Sequence, residues 1–171
     1  HRLSEALTVM LPLGLTTRSF SFYGGDFKMA CSNNRYRKSS AVAINSASQA
    51  FVAAGTTLQP GSAVSVTGCS LSVANSGIQV NSDGLYQIEA AVTFTPSAAG
   101  VAIVQIYKDG VLLPCTIRQL TVAADSVYTI STRAPAICAA SCAMVRPVFT
   151  VQISGVAGTV NYICVSGVKL A

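Results

Sequence analysis

The chain has no tryptophan, one histidine, and charge on only 10% of its 171 residues. Each shortage excludes something. With His1 as the sole imidazole, histidine-based catalytic triads and zinc sites have no partners within the sequence. The charged fraction sits far below the roughly 25% usual for soluble domains, while hydrophobic residues reach 51%. No run approaches the ~18 uninterrupted apolar residues of a membrane helix, so no membrane span is expected. Low charge without a spanning segment points instead to surfaces buried against other copies of the chain, because an uncovered apolar sheet aggregates.

Acid–base chemistry is equally thin. Beyond residue 38 the acids are Asp83, Glu89, Asp109 and Asp125. Three of them fall in predicted turns, where Asp suits the local backbone. Glu89 sits mid-strand and reads as a solvent or interface ion-pair partner. Serines and threonines are plentiful, but no base accompanies them. The stretch Ser154-Gly155-Val156-Ala157-Gly158 lacks the lysine and following helix of a phosphate loop, and reads as a hairpin turn. The expectation is no enzyme, no cofactor and no metal.

The six cysteines are Cys31, Cys69, Cys115, Cys138, Cys142 and Cys164. A chain this long and apolar does not need staples. Cys69 and Cys164 lie in alternating strand patterns, where a thiol acts as a small hydrophobe, so mostly reduced, buried thiols are expected. Cys138 and Cys142 have the spacing of a local bridge or half a metal site, but no second pair or histidine completes tetrahedral ligation.

Basic charge is concentrated at one end. Residues 1–38 hold six of the eleven Lys and Arg residues, against Glu5 and Asp26. The basic pI therefore describes a segment, not a nucleic-acid-binding face, and no nucleic acid is expected as a partner. Residues 1–28 read as a non-native leader or a disordered segment. Gly24-Gly25-Asp26 before Met29 can be encoded by a ribosome-binding sequence, which would make Met29-Ala30-Cys31 the start. Residues 29–47 read as a flexible basic arm, suited to docking on an acidic partner surface. Residues 48–171 read as the folded domain.

That domain is β throughout. In Leu85–Thr95 the even positions Tyr86, Ile88, Ala90, Val92 and Phe94 are apolar and the odd ones mostly polar, the period of a half-buried strand. Val101–Lys108 follows, apolar on both faces. Asp109-Gly110 then gives the strongest short hairpin signal, since both central residues of a type I′ turn need positive φ. Further strands are expected at 49–53, 63–67, 70–73, 77–80, 115–122, 127–133, 145–154 and 159–170. Strands at this spacing suggest a sandwich or jelly roll. In 159–170 one face carries Val160, Tyr162, Cys164, Val168 and Leu170, and the other Ile163 and Val165. A strand apolar on both faces needs a second layer or a second subunit over it.

The run Gly77-Ile78-Gln79-Val80, followed by Asp83-Gly84-Leu85-Tyr86-Gln87-Ile88, resembles the I-x-V-x-x-x-G-x-Y-x-I signature of tumour-necrosis-factor/complement-like jelly rolls. The bacterial and phage branch is the nearest in pattern, as at the C-termini of collagen-like spore-surface glycoproteins. There a short x-N-G-x-x-x-P hairpin follows, matched by Lys108-Asp109-Gly110 through Pro114, and Gly167-Val168-Lys169-Leu170 fits the last strand. No Gly-X-Y repeat is present, unlike the spore-surface type. The resemblance implies an antiparallel two-sheet jelly-roll sandwich of about ten strands that assembles as a homotrimer. It also implies a structural or adhesive role on a virion, in a head-fibre or decoration position, or on a bacterial or spore surface, with a capsid or surface-layer protein as the partner of the basic arm. A soluble ligand- or glycan-binding module is the competing reading. Tyr86, Tyr107, Tyr162, Ile163 and Val165 are the residues expected at subunit contacts.

Overall fold

The computed structural model describes residues 38–74, 76–139 and 146–171. The expected leader, most of the arm and the pairing of Cys138 with Cys142 lie outside them. Among the described residues thirteen strands follow one another: β1 (Ser40–Asn45), β2 (Gln49–Phe51), β3 (Thr56–Leu58), β4 (Ser62–Thr67), β5 (Leu71–Ala74) and β6 (Gly77–Val80). Then come β7 (Gly84–Pro96), β8 (Gly100–Lys108), β9 (Val111–Leu112), β10 (Arg118–Val122), β11 (Tyr128–Ala139), β12 (Val148–Ser154) and β13 (Gly158–Lys169). A 3-10 turn, Pro114–Thr116, precedes β10.

The strands form two antiparallel sheets. The first runs β11-β7-β13-β1-β4 with β2 beside β13; the second runs β10-β8-β12-β6-β5, with β3 on β12 and β9 on β8. The two five-strand paths are the expected ten-strand jelly roll. Period-two alternation explains the layers. In β7 Tyr86, Ile88, Ala90, Val92 and Phe94 all point inward and are buried. Ala102, Val104 and Ile106 do the same from β8, and Phe149, Val151 and Ile153 from β12. Burial of this apolar set, at roughly 25 cal/mol per Å², holds the sheets together. The signature residues Ile78, Val80, Tyr86 and Ile88 are all fully buried core. A side chain on the signature glycine, Gly84, would come within 2.4 Å of the Ala171 carbonyl oxygen, so the backbone there packs directly on the end of the chain.

Between β8 and β11 the 3-10 turn is held by hydrogen bonds. Thr116 is fully buried. Its Oγ1 accepts the Ile106 N–H at 2.8 Å and donates to the Leu113 carbonyl at 2.7 Å. Thr132 of β11 donates to the Thr116 carbonyl. A buried polar group is tolerated where all its partners are supplied.

Three expectations change. The domain does not begin at residue 48: β1 lies inside the first sheet, pairing β13 on one side and β4 on the other. Residues 40–45 of the expected flexible arm are therefore integral, with Ala41 and Ala43 fully buried. In β13 a register shift between Val160 and Tyr162 turns Val160 inward with Ile163 and Val165, leaving Tyr162, Cys164 and Val168 on the outward face. A bulge adds a residue and flips the facing of everything beyond it. Cys69 is not a buried strand thiol. It sits exposed in the bend after β4, where Gly68 at φ 69° has already ended the strand, and it is disulfide-bonded. Cys115 and Cys164 are free.

Candidate assembly interface

The outward face of the first sheet is built from cross-strand rows. One row runs Val42, Ser166, Glu89, Arg133; the next runs Ile44, Cys164, Ala91, Ser131. Above them Tyr162 stands opposite Thr93, which stands opposite Thr129. The centre of the face is thus floored by alanine, cysteine and serine, side chains short enough for another protein surface to approach closely. Tyr162 and Val168 remain 37% and 41% exposed, large apolar groups that one chain leaves in water.

Polar groups on this face largely satisfy one another. Gln87 Nε2 donates to Glu89 Oε1 at 2.7 Å, and Arg133 Nη1 lies 3.7 Å from the same oxygen. Thr93 and Thr129 share a 2.8 Å hydrogen bond, as do Ser40 and Thr67 at 2.7 Å. The Glu89–Arg133 pair is half-exposed, the regime in which an ion pair contributes roughly 0–1 kcal/mol. It borders a shallow groove of about 330 Å³ floored by Ala91, Cys164, Ser131 and Ser166, with Arg118 reaching it from β10. Glu89 is therefore an ion-pair partner, as its mid-strand position implied. Among the described residues, no three His, Cys, Asp or Glu side chains converge as a metal would require.

The five residues expected at subunit contacts are not brought together. Tyr86, Ile163 and Val165 are buried within a single chain, so they present no surface to a second one. Tyr86 Oη donates to the Ser82 carbonyl at 2.6 Å, and Lys169 Nζ sits 5.9 Å from its ring centroid. Burial pushes the Tyr86 phenol above its usual range, against the smaller opposing effect of its serine hydrogen bonds. Tyr107 lies on the outward face of the second sheet, where its hydroxyl accepts from Gln105 Nε2 at 2.9 Å. Only Tyr162 lies on the face described above. Val42 and Ile44 were missed, because their strand was read as part of a flexible arm. Their signal was present in the alternation of Ala41-Val42-Ala43-Ile44.

No protein-family model and no curated protein matches the chain. Solved structures do. The PRD1 vertex protein P5 superposes with a TM-score of 0.56 at 18% identity, covering 78% of this chain and 97% of that one. Murine APRIL superposes with a TM-score of 0.59 at 14% identity, covering 78% of this chain and all of the other (100%). At such identities the likeness is one of fold. The chain has the tumour-necrosis-factor-like jelly roll that its signature residues imply.

Proposed function

We propose that this chain is a non-catalytic, self-assembling surface module, a homotrimer joined through the outward face of the first sheet and carried on a virion. The observation that supports this most is the face itself. It combines a floor of short side chains with exposed Tyr162 and Val168 and few charges. A sheet face that leaves large apolar groups in water is managed in nature by covering it, and closed rotational symmetry covers it without leaving a sticky remainder. The trimer is the assembly implied by the family resemblance. The likeness to a phage vertex protein favours a virion surface over a spore or cell surface. In this reading the basic residues before Ser39 supply attachment to an acidic capsid partner.

Sedimentation or light scattering tests the assembly. The expected mass is about three times that of one chain. Ala91→Arg places a long cation at the centre of the face without touching the core, and should yield folded monomer. A wild-type protein that is monomeric at micromolar concentration, or an Ala91→Arg protein that remains trimeric, overturns the reading.

A further inference from the structure

The two ends of the sandwich differ sharply in chemistry. At one end lie the β2–β3, β7–β8, β10–β11 and β12–β13 loops. Their exposed side chains are mostly small and apolar, among them Val52, Ala54, Ala98, Ala99, Ala124 and Val127, with Ser97, Asp125 and Ser126 the polar exceptions. Val52 and Val127 are 56% and 67% exposed. Asp125 is the single charged residue in these loops. The other end holds Lys38, Asp83, Lys108, Asp109, Arg146 and Lys169, as the pairing of Ser40 with Val168, Lys108 with Phe149 and Lys169 with Tyr86 places them. The polypeptide enters the sandwich at that charged end.

The apolar end is also stitched into one piece. The Asp125 N–H donates to the Pro96 carbonyl, Ser97 N–H to the Ala157 carbonyl and Gly155 N–H to the Ala53 carbonyl, each at 2.9 Å. These three bonds link all four loops in series. Tyr128 Oη further accepts the Ala123 N–H at 2.9 Å. Loops fixed in this way lose little freedom on binding, which is what a preorganised contact surface requires.

We propose that this four-loop cap is a docking surface for a charge-poor, apolar patch on a partner protein. Charge complementarity argues for that occupant: a cap with one carboxylate and no cation forms contacts that depend on shape and apolar burial, not on ion pairing. A lipid bilayer fits less well. The cap has no basic residue for headgroups, and Ala and Val side chains are too short to reach the ~5–10 Å depth at which interfacial anchors sit. A second copy fits less well too, since a two-fold pairing of caps adds Asp125 to Asp125 and no compensating cation. The short side chains of the cap leave room for the partner to supply the large ones. This surface is independent of the first-sheet face, so it stands or falls separately from the mode of assembly.

The test pans a library of random peptides of about a dozen residues on the immobilised full chain, then measures selected peptides in solution by fluorescence anisotropy. The expected peptides are rich in Leu, Ile, Phe and Trp and poor in charge. Their affinity should hold between roughly 0.05 and 0.5 M NaCl, because no ion pair is screened. Val52→Asp with Val127→Asp should weaken them by about tenfold or more, with Ala98→Asp as a second, independent variant. Both sites are exposed, so circular dichroism and melting should match the parent. The proposal is overturned if no peptide is enriched, if the variants bind as well as the parent, or if binding collapses with salt. It is overturned in favour of lipid if phosphatidylcholine vesicles are bound by the parent and released by the variants. It is overturned in favour of a second copy if the parent assembly doubles in mass and the variants do not.

Discussion

Asp109 and Val148 are joined reciprocally: Asp109 Oδ1 accepts the Val148 N–H at 2.8 Å, and the Asp109 N–H donates to the Val148 carbonyl at 3.0 Å. The β8–β9 hairpin therefore also fixes where β12 begins. Asp109 and Gly110 have φ of 51° and 79°, both positive as a type I′ turn requires. A Cβ at Gly110 would meet nothing within 4 Å, so substitution there is penalised by backbone conformation alone. Gly110→Val should cost on the order of 1–3 kcal/mol, read from the midpoint of urea unfolding. An unchanged midpoint would mean that the turn relaxes to another type.

In the single chain, measured below the concentration at which it assembles, Glu89→Gln should cost far less, within roughly 0–1 kcal/mol of the folding free energy. Its carboxylate is half-exposed, and the 3.7 Å pair with Arg133 is loose. The amide can still accept from Gln87 Nε2. Urea unfolding at neutral pH, with the Gly110→Val variant alongside, checks the ranking. A larger loss at Glu89 once the chain assembles would show that its charge is covered in the assembled protein.

Most of the fold was legible because its strongest elements obey one rule each. The β7 strand alternates without interruption, and the β8–β9 turn needs two residues with positive φ and has Asp-Gly. The short β3 strand falls in the gap between the strands expected at 49–53 and 63–67, and the 3-10 turn overlaps the start of the strand expected at 115–122. The failure at β1 has a clear cause. Its inward residues are Ala41 and Ala43 and its larger ones, Val42 and Ile44, face outward. The hydrophobic weight thus lies on the side of the candidate interface, and the strand's own core side looks like a small-residue tail. In β13 the bulge near Asn161 is invisible to strict alternation, and it moved Val160, Ile163 and Val165 to a common face. The site residues suffered accordingly: aromatic residues mark packing, and Tyr86 packs within the chain.

Because β1 joins β13 to β4, its removal should not be tolerated. A chain beginning at Cys31 retains every pairing described. One beginning at Ser46 strips β13 of its partner from Ile163 to Val168 and leaves β4 unpaired. It also loses Ser39, which accepts the Lys169 N–H and donates to the Thr67 carbonyl, each at 2.8 Å. The expected result is loss of cooperative thermal unfolding in the shorter chain and its retention in the longer. A Ser46 chain that melts like the parent would show that β1 is dispensable.

The last prediction concerns Tyr86, whose ring fills the core while its hydroxyl donates to the Ser82 carbonyl at 2.6 Å. Tyr86→Phe keeps the ring and removes the donor, so at neutral pH it should cost about 1 kcal/mol. The alkaline behaviour of the two proteins should then differ. Burial raises the folded-state pKa of Tyr86, whereas the unfolded chain releases that proton near pH 10. Below about pH 10 the phenol is protonated in both states and its contribution is fully present. As pH rises beyond that, the unfolded state loses its proton first. The folded state is penalised for holding on to its own, and the contribution falls until the folded pKa is passed. Tyr86→Phe lacks this group. The stability gap between parent and variant should therefore be constant from pH 7 to about pH 10 and narrow above it. Urea unfolding curves across that range measure the gap directly. Parallel curves above pH 10 would show that the Tyr86 phenol titrates in the fold as it does in the open chain, and that the closed end around Ser82 and Lys169 admits water.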